Sequence, residues 1–265
     1  MIGQGARASR STSWALRIAA WLAVVVLALP LLALLVRVDW AGLPADLSTP
    51  TAWQAVRLSG LTTATTLLVV LVLGTPLAWL LARGTHPLLP WLRAVVTVPL
   101  VLPPVVGGVA LLATWGRRGV LGGPLHELTG LSLPFTTAAV VIAEVFVAMP
   151  FYVISVEGAM RGLDPRFDGI AATLGASPLR TFVTVVVPMV VPGIAAGAAL
   201  AWARALGEFG ATITFAGNFP GRTQTVPLAV FTALEQDPDA ALALSVLMLT
   251  ICVIVLGVLR SRWLP

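Results

Sequence analysis

Uncharged stretches of about 20 residues recur along this chain, separated by isolated arginines, and that pattern decides what the chain can fold into. A helix needs about 20 apolar residues to cross the roughly 30 Å of hydrocarbon in a bilayer. Read on that scale, the sequence predicts about six spans, at residues 18–36, 59–82, 94–116, 135–156, 189–215 and 240–259. Of the 265 residues, 58% are apolar and only 10% are charged, and the mean hydropathy is +0.97. A soluble domain carries about 25% charge. Too little charge is present to wet a globule, so a soluble enzyme is excluded. The expected class is an all-α polytopic membrane protein, one transmembrane domain over residues 1–265.

Cytoplasmic loops hold an excess of basic residues. Arg7, Arg10, Arg17, Arg83, Arg93, Arg161, Arg166, Arg180, Arg260 and Arg262 fall on one side of the predicted spans, and Arg37, Arg57, Arg117, Arg118 and Arg222 on the other. Both termini are therefore expected in the cytoplasm. A cleaved leader is the rival reading of the N-terminus, but its apolar core is long and no clear small-x-small site follows. All 16 basic residues are arginine, so the chain lacks the lysine of a phosphate-binding loop and is not expected to hydrolyse ATP that way. Cys252 stands alone, which excludes an internal disulfide and a multi-cysteine metal site. His86 and His126 fall in loops on opposite sides, and there is no H-E-x-x-H or nucleophile-elbow sequence to support a membrane enzyme. No metal site is expected. No inverted repeat of the secondary-carrier kind is visible either.

The loop at about 157–188 carries the most information. Asp164 and Pro165 make a cap-then-proline helix start, and Phe167, Ile170, Ala171 and Leu174 follow at the i, i+3, i+4, i+7 spacing of one helix face. Gly175 stands where a left-handed C-terminal cap is wanted, and Ser177-Pro178 opens a second short helix that Pro188 limits. So short a helix is marginal unless its apolar stripe is buried. The stripe packs either on its own bundle or in a groove of another protein, and the spacing does not choose between them.

This loop resembles the EAA loop of ABC-importer permeases: E-A-A, three residues, G, nine residues, I-x-L-P. Gly175 fits the glycine, Val185-Val186-Val187-Pro188 fits the closing motif, and Ala171 fits the second alanine. Gly169 and Ile170 depart from the glutamate and the first alanine; Asp168 is the adjacent acid. The segments Ala203-Arg-Ala-Leu-Gly-Glu-Phe-Gly-Ala and Gly217-Asn-Phe-Pro-Gly-Arg-Thr-Gln-Thr resemble the molybdate permease subfamily, the first also sulfate and thiosulfate permeases. The resemblance implies the type I importer permease fold in the cytoplasmic membrane of a prokaryote. It also implies two copies of the chain, an ATP-binding subunit pair holding ATP–Mg, and an extracytoplasmic molybdate-binding protein, with no cofactor in this chain. Asp168, Ile170, Ala171, Leu174, Gly175, Ser177, Pro178 and Arg180 would then form the coupling surface. Tungstate, sulfate or thiosulfate are the alternative cargoes, and an ion-driven secondary carrier is the alternative class.

A tetrahedral dianion needs donors and little negative charge beside it. Pro99 to Gly108 cannot be a regular helix throughout, so backbone freed around Pro103 is expected to face a pathway or merely to shape packing. Thr62 and Thr66, with Thr63 and Thr65, offer hydroxyls to a pathway or to their own helix, and Thr212 and Asn218 add donors in and after the fifth span. Arg204 and Glu208 are four apart and share a helix face; Glu144, near mid-span, is placed to pair with Arg204 from another helix. Glu144 and Glu208 are expected to be structural clamps; Arg204 is either a clamp alone or the one residue that also touches substrate. Gly193, Gly197, Ala201 and Ala205 make a small-residue seam, a candidate homodimer axis. Asn218, Arg222, Thr223 and Gln224 form either a receiving surface for the anion or a solvated turn.

Overall fold

The computed structural model describes residues 14–164 and 166–263; Arg7, Arg10 and Pro165, used above, fall outside the described residues. Helices dominate, and no strand occurs among the described residues. In chain order they are α1 Trp14–Arg37, α2 Leu43–Leu47, α3 Pro50–Arg83, α4 Leu89–Val101, α5 Pro104–Trp115, α6 Gly122–Thr129 and α7 Thr137–Arg161. Then come α8 Arg166–Thr173, α9 Pro178–Thr181, a π-helical turn Phe182–Val186, α10 Val187–Met189, α11 Val191–Leu206, α12 Gly210–Phe215, α13 Val226–Gln236 and α14 Pro238–Trp263.

Among the described residues four helices are long and apolar enough to cross a membrane, and a fifth is added if the bent pair Pro178–Met189 and Val191–Leu206, meeting at 76°, counts as one span. The sequence predicts about six; the difference lies in the third and fifth. The third divides into α4 and α5, each too short to cross alone. Pro103 and Pro104 cause the break, because a residue before proline is pushed out of the helical region: Leu102 and Pro103 are extended at ψ 129° and 133°. The fifth span stops at Leu206, leaves Gly207 to Phe209 non-helical, and resumes as α12. Two more segments between the predicted spans are helical. The loop before residue 57 holds α2 and the first turns of α3, and the stretch after Asn218 holds α13, started by Thr225 and Pro227.

The core is a helix triad in which α7 packs between α3 and α11. Small residues let the backbones approach. A Cβ at Gly74 would lie 2.7 Å from the Tyr152 ring, and one at Gly197 3.1 Å from Ser155 Cβ. Gly193 faces Ala159, and Ala201 and Ala205 are buried. The seam of small residues thus serves α7 of the same chain, which corrects its expectation as a homodimer axis. A hydrogen bond of 2.6 Å between Thr75 Oγ1 and the Tyr152 hydroxyl satisfies the polar tip of the largest core side chain. The broken spans support each other, for α5 packs on α12 with Gly108 against the Ala211 carbonyl and Gly210 against Pro104. Helix α1 buries no residue of its apolar window completely and leans on α14, so most of its surface is left for lipid or a partner.

α3 and α7 run the same way along the bundle. Their N-terminal ends meet the loop after α12, where Thr137 Oγ1 donates to the Arg222 carbonyl (2.9 Å). Their C-terminal ends meet at α8, which marks the opposite face.

Candidate functional site

The elbow begins at Asp164, whose Oδ1 accepts the Arg166 N–H at 2.9 Å. α8 ends as the spacing predicts: Gly175 is left-handed (φ 78°), its N–H reaches the Ala172 carbonyl, and the Ala176 N–H reaches that of Ala171, both at 3.0 Å. Ser177 caps α9 by accepting the Arg180 N–H (3.3 Å), with Pro178 at the first helical position; the Arg180 side chain is exposed. The apolar stripe divides. Ala171 is buried against its own chain, whereas Phe167, Ile170 and Leu174 are 41%, 56% and 82% exposed. A three-residue apolar edge with a polar flank is left uncovered on the single chain.

Beneath α8 lies a knot of charge at the C-terminal end of α3. Glu157 is buried between Arg93 of α4, at 2.6 Å, and Arg161 of its own helix, at 2.9 Å. Both guanidiniums also donate to the Leu81 carbonyl, at 3.2 and 3.3 Å, and so fill orphan acceptor positions of the last turn of α3. Arg83 donates to the Leu163 carbonyl at 3.2 Å, and its Nε lies 3.3 Å from Asp168 Oδ2. Sequence reasoning assigned Arg83, Arg93 and Arg161 only to topology and gave Glu157 no role. The Glu157–Arg161 spacing of four was the one readable signal.

Two further carboxylates sit inside the bundle. Glu144 accepts from Thr62 Oγ1 and Thr66 Oγ1, each at 2.7 Å, and no cation pairs with it among the described residues. The expected Glu144–Arg204 pair is therefore absent among the described residues. Arg204 is satisfied locally by Glu208 at 2.7 Å. The reason is geometric. The helix ends at Leu206, which turns Glu208 inward, where its Oε1 also accepts the Ala211 N–H at 2.7 Å and caps α12. The hydroxyls of Thr62 and Thr66 point at Glu144; Thr63 and Thr65 bond backward to Ser59 and Leu61 carbonyls at 2.7 and 2.8 Å.

Thr212 is fully buried and its Oγ1 finds no partner among the described residues. Pro103 lies at the exposed α4–α5 break. Asn218 donates through Nδ2 to Thr232 Oγ1 at 2.9 Å, leaving its Oδ1 unpaired among the described residues. The loop around it is a built turn. Gly217 and Gly221 are left-handed (φ 76° and 71°), and the Phe219 carbonyl accepts the N–H groups of Arg222, Thr223 and Gln224 at 3.1, 2.9 and 3.0 Å. Thr223 and Gln224 are buried in it, so of the four residues placed on a receiving surface only Arg222 is exposed. The Val226 N–H donates to Ser59 Oγ (2.8 Å) and fixes α13 to α3.

Comparison with known proteins fits this architecture. Over 236 residues the chain is 47% identical to the molybdenum transport system permease protein ModB of Mycobacterium tuberculosis, covering 89% of each. Over 212 residues it is 40% identical to ModB of Escherichia coli, covering 80% of this chain and 93% of that one. A solved chain from a bacterial ABC transporter that imports the acidic polysaccharide alginate shares the fold at TM-score 0.74 and 13% identity, covering 94% of this chain and 95% of that one. Residues 71–264 match the family described as binding-protein-dependent transport system inner membrane component. With its broken spans, its capped elbow and these relatives, the chain belongs to that family of inner-membrane transport components, multi-pass subunits that are not themselves enzymes.

Proposed function

We propose that the chain is the permease subunit of an ATP-driven importer that carries molybdate across the cytoplasmic membrane. The observation that supports this reading most is the 47% identity to a molybdenum permease over 89% of the chain. Two copies enclose one pathway. The α8 face is cytoplasmic, as are both termini, and an extracytoplasmic molybdate-binding protein delivers the anion to the opposite face. ATP–Mg is held by a pair of separate ATP-binding subunits. Phe167, Ile170 and Leu174 enter a groove on one of them; Gly175, Ser177, Pro178 and Arg180 shape and flank that contact. ATP binds the closed pair more tightly than the open pair, and this difference shifts the permease between its outward- and inward-facing states.

The interior can admit a dianion beside Glu208, because that carboxylate already has its counter-charge. Two unit charges 4 Å apart interact by about 4 kcal/mol at an effective dielectric of 20, so an unpartnered carboxylate on the route would exclude the cargo. Glu208 is neutralised by Arg204, while Glu144 has two hydroxyl partners and no cation among the described residues, so the route runs past Arg204 and away from Glu144. The donors assigned to the anion's route are Arg204, which remains 26% exposed, with Asn218 at its outer end and the backbone around Pro103 beside it; Thr212, expected on the route from the sequence, is fully buried within the chain and does not reach it. Thr62 and Thr66 hold Glu144 and lie off the route with it.

The test is reconstitution of the chain with its ATP-binding subunits in proteoliposomes. ATPase activity should rise when the binding protein is loaded with molybdate or its near-isostere tungstate, and stay basal with sulfate. Stimulation by sulfate-loaded protein alone would overturn the cargo assignment, and uptake without ATP would overturn the class.

A further inference from the structure

α8 is poorly seated on its own bundle. Among the described residues, α9 is the element it packs on to any extent, and Ala171 is its one buried residue. Between α8 and α3 lies a cavity of about 260 Å³, lined by Trp79, Arg83, Asp168, Ala172, Pro178 and Phe182 among others. Side chains on opposite walls of an open cleft make few direct contacts and pass little force that way. The joint across this cleft is polar. Asp168 Oδ2 lies 3.3 Å from Arg83 Nε as an ion pair, that buried Nε has no hydrogen-bond partner among the described residues, and no side-chain hydrogen bond leaves α8 for the membrane helices there. Arg83 is the last residue of α3 and also holds the Leu163 carbonyl, in the segment that joins α7 to α8. Two residues earlier, the Leu81 carbonyl receives Arg93 and Arg161, with Glu157 locked between them. The end of α3 is thereby fastened to α4 and to α7.

The geometry points to Arg83 as the positioning residue that carries movement of the elbow into the membrane. Through Asp168 it grips α8, and through the Leu163 carbonyl and the knot at Leu81 it delivers that movement to α3, α7 and α4 together. α4 runs directly into the break at Leu102 and Pro103, so this end of the relay reaches an interrupted span. The apolar edge of α8 holds the motor; the Arg83–Asp168 pair makes that hold count. This inference rests on the permease reading above and adds a residue to its coupling step.

The experiment measures oxyanion imported per ATP hydrolysed by the reconstituted complex, with its binding protein and whichever oxyanion the wild type carries. Arg83→Gln, whose side chain lies outside the docking surface, should keep the ATP-binding subunits bound and keep ATP hydrolysis; Asp168→Asn is read in complexes that retain those subunits. Each should lower import per ATP about three- to tenfold, the scale expected for losing one partly buried ion pair. Asp168→Glu should retain coupling, and the double variant Arg83→Gln/Asp168→Asn should be no worse than either single, because the two residues act as one unit. Unchanged import per ATP in both single variants would overturn the proposal. So would losses that multiply in the double variant, or an Arg83→Gln variant that unfolds or sheds the ATP-binding subunits, since the pair would then serve folding or docking. A wild-type complex that ignores molybdate but imports another oxyanion defeats the cargo assignment and leaves this ratio measurable.

Discussion

Glu208 and Asp168 are carboxylates of one chain with an arginine partner each, and their surroundings give the pairs different meanings. Glu208 is buried in the bundle, 2.7 Å from Arg204, with its second oxygen on the Ala211 N–H. Asp168 stands half-exposed beside a cavity at 3.3 Å from Arg83. A buried pair gains little over an apolar pair of the same shape, but removing one partner strands the other charge. A half-exposed pair is worth less to stability and is free to report on where its two helices stand. The membrane interior is thus a region of fixed polarity, and the elbow a region whose polar contact can be strained by a partner.

Glu208→Ala should have the largest effect. It leaves the Arg204 guanidinium without its counter-charge and strips the cap from α12, a loss of about 3–5 kcal/mol. Thermal unfolding of the purified chain in detergent should show it, along with a fall in membrane yield. Stability within about 0.5 kcal/mol of wild type, the range of an ordinary surface change, would place Glu208 in the same class as Asp168.

Ile170→Asp and Leu174→Asp should do the reverse, sparing the chain and damaging the assembly. Both side chains are more than half exposed, so the folded chain loses nothing. In a partner groove each buries an apolar side chain worth about 1.5–3 kcal/mol, so affinity for the ATP-binding subunits should fall at least about tenfold. Co-purification under increasing detergent wash reads this directly. Equal co-purification of wild type and variants would mean that the uncovered edge faces water. Ala171→Asp tests the division of the stripe, since Ala171 is buried inward and the chain itself should then be destabilised.

What could be read from the sequence follows from the range of the forces involved. Hydropathy and proline act within one segment, and so the helical class, the break at Pro103 and the caps at Gly175 and Ser177 were legible. The elbow was legible too, because its motif is local. What was hidden acts between segments. Thr62, Thr66 and Glu144 are about 80 residues apart, and nothing in either stretch says that two hydroxyls will meet one carboxylate. Arg83, Arg93 and Arg161 read as loop charges because their shared acceptor, the Leu81 carbonyl, is backbone and leaves no mark in a sequence. The small-residue seam was legible as a seam, but its partner, α7 of the same chain, was not.

Thr62→Val tests the interior clamp at its weaker point. Glu144 keeps Thr66 and loses one of two donors, so a buried acceptor goes partly unsatisfied at a cost of about 1–3 kcal/mol. Thr66→Val should match it, and the double variant should cost more than the sum, since the first loss leaves a donor that the second removes. If the hydroxyls instead touch the cargo, KM for import should rise with stability unchanged. The two outcomes separate a clamp from a ligand.

The smallest effect belongs to Arg166, and it sharpens the comparison because Arg166 lies two residues from Asp168 on the same helix. Its guanidinium is 3.9 Å from Asp164, the arginine side chain is 88% exposed and the aspartate 51%. Water competes for both groups at that distance and exposure, and the pair holds no second element. Arg166→Ala should therefore change neither thermal stability nor import per ATP beyond the scatter of surface substitutions, about 0.5 kcal/mol. Arg83→Gln removes the same guanidinium chemistry from the same elbow, but from a side chain that joins α3 to α8 and to the Leu163 carbonyl. A coupling loss at Arg83 with none at Arg166 assigns the effect to the bridge between helices. Equal losses at both would assign it to the positive charge of the elbow as a whole, and the ATP-binding subunit would then be reading electrostatic field where the geometry has it reading position.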